Sequence, residues 1–111
     1  MIPTEEKNQI ITTVQADNGF LKEFVGDFLE DVQEDVQVLA DAIQQYDHVR
    51  MERLAHSMKS VVGFFKATTA YNIAKELEIL GREGNLEAGA KKFEELENSL
   101  EDLKQLLTEK I

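Results

Sequence analysis

Proline occurs once, at position 3, so nothing after the first few residues obliges a helix to break. Sustained alternation of apolar and polar residues is also missing, whereas steps of three and four recur throughout the chain. Those two features predict an all-α protein. A short first helix is expected from about Thr4, a candidate N-cap, to about Ala16. The run "ADNG" then reads as a turn in which Asp17 or Asn18 caps the next helix.

The second helix should be long, from about Gly19 to Tyr46, with an inner stripe from Leu21 and Phe24 to Leu39 and Ile43. Asp47 is placed to cap a third helix reaching about Lys66. Thr68 or Thr69 is placed to cap a fourth, whose stripe is Ala70, Ile73, Ala74, Leu77 and Leu80. "GREGN", residues 81 to 85, reads as a turn. The last helix carries Leu86, Phe93, Leu96, Leu100, Leu103 and Leu107 at nearly heptad spacing. Short connections make sequential helices antiparallel neighbours. The expected architecture is an antiparallel up-and-down four-helix bundle with a short extra N-terminal helix. Residues 1–111 form one domain, with no repeat or linker.

Composition narrows the function classes. No cysteine is present, which removes disulfides, thiolate metal sites and thiol catalysis. A formal net charge of −10 disfavours nucleic acid and anionic membranes, leaving a protein as the expected partner. No apolar run approaches a bilayer span, and "MIPTEEKNQI" lacks the pattern of a signal peptide. A cytoplasmic location and a monomer are expected. Charge is uneven, however. From Val49 to Lys75 there are five basic residues and one acid, against seven basic and twenty-one acidic residues elsewhere.

Inside that basic island lies "RLAHSMKSVVGFF", residues 53 to 65. On a helical wheel Met51, Leu54, Met58, Val61, Val62 and Phe65 share one side, and His56 points away from them. The imidazole is therefore expected to face water. Lys59 and Ser60 follow one turn later, Gly63 two turns later, and Arg53 one turn earlier. A solvent-facing imidazole is a competent nucleophile at neutral pH. A phosphoryl group placed on it would be a dianion that Lys59 could partly neutralise, with Arg53 adding to the field. Ser60 and Gly63 would leave a shallow surface beside it. Phe64 is either a docking residue or partly buried against the neighbouring helix.

These residues resemble the histidine-containing phosphotransfer (HPt) domains of phosphorelays. The family pattern is approximately A-H-x-L-K-G-S, then G-A; here it reads Ala55-His56-Ser57-Met58-Lys59-Ser60-Val61, then Lys66-Ala67. The flanking helices are similar too, from about residue 17 to residue 107. The resemblance implies that His56 accepts a phosphoryl group from a receiver-domain aspartate and that Lys59 steadies it. Ser60, Gly63, Arg53 and Phe64 would serve receiver access and docking. It implies response-regulator receivers as partners, including those of hybrid histidine kinases. Magnesium is expected on the receiver only, with no cofactor or metal on this chain, which would be a phosphocarrier and not an enzyme. Ser60, Val61 and Lys66 depart from the pattern, at positions bearing on partner choice and transfer rate.

Other readings stay open. One is a bundle that docks receivers without transfer, or an interaction module with no chemistry. Another is a phosphoacceptor phosphorylated directly by a histidine kinase, since the P1 domains of chemotaxis-type kinases carry a similar run. A di-iron bundle needs E-x-x-H motifs, and neither His48 nor His56 has a glutamate three residues before it. Glu52 and His56 alone would chelate weakly. No phosphate loop or nucleophile elbow is present.

Overall fold

The sequence places apolar residues on one stripe of each helix, and the fold closes those stripes around a common axis. The computed structural model describes residues 1–16 and 20–110. It contains α1 (Thr4–Ala16), α2 (Phe20–Gln44), α3 (His48–Phe64), α4 (Thr68–Glu83) and α5 (Leu86–Lys110), with no strand among the described residues. Links of three, three and two residues join α2 to α5 in sequence. Each helix of α2–α5 packs on its chain neighbour and α5 returns to α2, which closes the four-helix ring. The long axis of 41 Å is set by α2 and α5; a helix of their 25 residues is roughly 37 Å long.

The core follows the predicted stripes. Val25, Phe28, Val32 and Leu39 of α2 meet Met51, Met58, Val62 and Phe65 of the α3 region, with Leu77, Leu96, Leu100 and Leu103 opposite. Ile10 and Val14 of α1 are buried beside Leu106 and Leu107, so the extra helix covers an end of the bundle. No helix of the described residues is long and apolar enough to cross a membrane.

Several boundaries differ from the expectation, each for a local reason. Helix α1 begins at Thr4, so Thr4 lies inside the helix and the Pro3 carbonyl accepts the first bond, from Lys7 N–H at 2.8 Å. The candidate caps Asp17 and Asn18 lie outside the described residues. Asp47 does cap α3, accepting from Arg50 N–H at 3.1 Å. Thr68 and Thr69 do not cap α4. Its N-cap is Ala67, and the cap carboxylate comes from another helix: Glu6 Oε1 accepts from Thr69 N–H at 2.9 Å and Thr69 Oγ1–H at 2.6 Å. An anionic side chain of α1 thereby satisfies the positive end of α4. The "GREGN" turn is shorter than expected, because α4 continues through Gly81 to Glu83.

Helices α2, α3 and α4 end alike. In each, the residue after the last turn has positive φ, and the next N–H bonds a carbonyl five residues back: Asp47 to Ala42, Ala67 to Val62, Asn85 to Leu80. Only the third such turn uses glycine, Gly84; the others hold Tyr46 at φ 59° and Lys66 at φ 61°. A side chain in the left-handed region costs about 1–2 kcal/mol, partly offset by the backbone entropy a glycine loses. Lys66→Gly is therefore expected to stabilise the protein by about 0.5–1 kcal/mol in urea unfolding. A glycine at this position, as in the pattern the sequence resembles, thus has a backbone explanation.

Candidate functional site

Helices α3 and α4 form the tightest pair of the bundle, and a glycine makes this possible. A Cβ on Gly81 would lie 2.7 Å from Glu52 N and 2.9 Å from Glu52 Cα, so the α4 backbone rests directly on α3. Close approach brings the polar edge of α4 against the His56 face. Glu78 follows Ala74 by one turn and precedes Gly81 by one, which sets it on the inner stripe of α4 although it is a carboxylate. Its side chain is only 9% exposed.

A carboxylate so placed needs partners, and it has them. His56 Nδ1 lies 2.7 Å from Glu78 Oε2, and Lys59 Nζ donates to Glu78 Oε1, also at 2.7 Å. Arg82 Nη2 stands 3.7 Å from Oε2, while its Nε donates to Glu52 Oε2 at 3.0 Å. The Lys59 hydrogen bond, supported by that of His56, holds the Glu78 carboxyl below its ordinary value of 4.5 although burial pushes the other way. Glu78 is thus an acceptor at neutral pH.

That charge state fixes the histidine. An ionised carboxylate only accepts, so Nδ1 of His56 carries the proton and donates it. In its neutral form the ring then has its lone pair on Nε2. The imidazole is 59% exposed, while the carboxylate that holds its Nδ1 is almost fully covered, so the ring is clamped from within and its other edge is left open. Lys59, 19% exposed, uses one of three N–H donors on Glu78. Two remain for another oxygen.

The remaining candidates line this face. Ser60 is exposed and its Oγ–H donates to the His56 carbonyl at 3.2 Å, which folds the hydroxyl back along α3. Gly63 is half-buried, where a Cβ would meet the Tyr71 ring at 3.3 Å, a side-chain contact and not a backbone approach. Arg53 is exposed and borders an open hollow with Val49, Glu52, His56, Ser57 and Glu78. Phe64 is 54% exposed with its ring 4.9 Å from that of Phe24, so it is partly packed and partly presented. His48 has a structural partner: its Nδ1–H donates to the Gly81 carbonyl at 3.1 Å, near the end of α4. Among the described residues, no three His, Asp or Glu side chains converge as a metal site would require.

The basic island overlooked Glu78, which lies just past its end. The signal available was a carboxylate on an otherwise apolar stripe, a placement that demands a cation across the interface.

A four-helix bundle presenting one imidazole by its outer nitrogen, with a lysine a turn away, has the parts of a helical phosphoryl carrier. The Hpt domain profile matches residues 23–106, most of the chain, and the chain belongs to the Hpt domain family. Hpt domains are phosphocarriers, not classical enzymes, and interact with receiver domains in phosphorelays. No curated protein and no solved structure gives a significant match to this chain.

Proposed function

We propose that this protein is a phosphorelay intermediate that accepts a phosphoryl group on Nε2 of His56 from a receiver aspartate and passes it to another receiver. The observation that carries this reading is the Glu78 clamp on Nδ1 of an otherwise exposed imidazole, which in the neutral ring assigns the lone pair to Nε2. The Nε2 lone pair attacks phosphorus, the bond from phosphorus to the aspartyl oxygen breaks, and the electron pair leaves with the aspartate carboxylate. The ring keeps its Nδ1 proton and becomes cationic, a charge that Glu78 offsets at 2.7 Å. From the cationic ring the phosphoryl group departs with the N–P electron pair returning to Nε2, leaving neutral imidazole, so holding the Nδ1 proton keeps the group transferable onward.

Lys59 donates a free N–H to the phosphoryl oxygens without releasing Glu78. Ser60 and Gly63 keep the surface low for a receiver, while Arg53 and Phe64 supply charge and apolar contact at its edges. Magnesium belongs to the receiver in this scheme.

Incubation with a phosphorylated receiver, followed by tryptic mass spectrometry under mildly alkaline conditions, tests the site. Phosphate on the peptide containing His56, and none on His56→Gln, is expected. Phosphate at another residue rejects the assignment.

The clamp also predicts an acid response. A carboxyl held below its unfolded value stabilises the fold fully above that value, and the contribution disappears as pH falls through the folded one. Urea-unfolding stability should therefore decline below about pH 4.5, where an unfolded glutamate begins to protonate. Glu78→Gln should show a shallower decline over that window. An unchanged slope would mean that Glu78 is not held as the geometry implies.

A further inference from the structure

Two cations face Glu78, and they differ in how freely they can move. Lys59 is largely covered and bonded to a carboxylate that is itself almost fully covered, so withdrawing it would strand a charge in a poorly solvated place. Arg82 is 61% exposed, and its short contact is with Glu52, which is 31% exposed. Surface pairs of this kind are weak and easily exchanged. Arg82 also stands beside the same Glu78 oxygen that holds His56 Nδ1, within roughly two hydrogen-bond lengths of the imidazole. Glu52 lies one turn before His56 on α3.

We propose that Arg82 is a second phosphoryl-binding group, kept on Glu52 while His56 is bare and moved to the phosphoryl oxygens once His56 is phosphorylated. The inference rests on the carrier reading above and extends it to regulation of the same site. A dianion on Nε2 outcompetes the single charge of Glu52 for the guanidinium, whose fork suits two phosphoryl oxygens. Glu52 is then a competing acceptor. It lowers the hold of Arg82 on the phosphoryl group and thereby favours onward transfer. Arg53, on the preceding turn, has no carboxylate partner among the described residues and is not part of the exchange.

The test charges the full chain chemically, so that no receiver is needed. Phosphoramidate donates its phosphoryl group as its nitrogen leaves as ammonia and the bond from Nε2 to phosphorus forms. Phosphorus NMR reports the phosphohistidine, and proton–nitrogen spectra follow the Arg82 side-chain Nε–H. Expected on charging is a clear shift of that Nε–H signal as it leaves Glu52. Arg82→Ala should shorten the phosphohistidine lifetime about fivefold, the scale of one exposed charge-assisted contact. Glu52→Gln should lengthen it about twofold by removing the competitor. Both substitutions are at exposed or half-exposed positions, and circular dichroism confirms folding. A stationary Arg82 signal with equal lifetimes in wild type and Arg82→Ala, on fully charged protein, overturns the proposal. Failure of the wild type to charge at His56 rejects the carrier reading beneath it.

Discussion

Glu78→Ala should lower the rate at which His56 accepts a phosphoryl group from a receiver by about a hundredfold, the scale of a positioned acid–base partner. The substitution removes the acceptor that holds Nδ1–H at 2.7 Å, so the ring rotates and samples the other tautomer. It also removes the charge that offsets the cationic ring formed on transfer, and it frees Lys59 to turn outward. Glu78→Gln separates these contributions. Its amide oxygen can still accept from Nδ1–H, but the negative charge is gone and its NH2 group faces the Lys59 ammonium. About a tenfold loss is expected for the glutamine variant. The order wild type, Gln, Ala indicates that orientation and charge both act. Equal rates in all three would remove Glu78 from the account. Stopped-flow transfer from one phosphorylated receiver, at saturating receiver concentration, measures the series without confusion from docking.

The largest effect on stability should come from one methyl group. At Gly81 an added Cβ falls below 3 Å from two backbone atoms of Glu52, and backbone cannot step aside as a side chain can. Gly81→Ala must separate α3 from α4, and an overpacked core of this kind typically loses about 1–3 kcal/mol. We expect about 2–3 kcal/mol, read as a fall of roughly 10 °C in Tm. Separation also lengthens the contacts of Glu78 with His56 and Lys59, so transfer slows with stability. Gly26 is the internal control. A Cβ there meets nothing within 4 Å, so Gly26→Ala should stabilise its helix by up to about 1 kcal/mol through helix propensity. Opposite signs at two helical glycines would show that packing decides. A loss at both would contradict the geometry.

Much of the architecture could be read before any coordinates. One early proline, unbroken helical periodicity and polar links between apolar stripes leave a four-helix solution with little competition. The direction of His56 was legible for the same reason: apolar stripes are local, and a wheel needs only one helix. Contacts between helices were not legible. The capping of α4 by Glu6 joins residues 63 positions apart and has no local trace. Gly81 looked like a turn residue because glycine usually marks one, whereas here it permits backbone contact inside a helix. Glu78 was missed because charge was read along the chain. The bundle pairs it with residues 19 and 22 positions earlier, so the local excess of basic residues hid an acid at the centre of the site. Lys66 was legible only as a departure from the family pattern; its positive φ shows that the position also carries backbone strain.

The central claim is that a phosphoryl group enters and leaves through His56. A two-receiver relay tests it most directly: a radiolabelled, phosphorylated receiver is mixed with this protein, purified away, and a second receiver is added. Label is predicted to pass to the wild-type protein in an acid-labile form and then to the second receiver, with none carried by His56→Gln. Label carried equally by His56→Gln, or wild type that binds phosphorylated receivers and takes no label from any of them, would contradict the account.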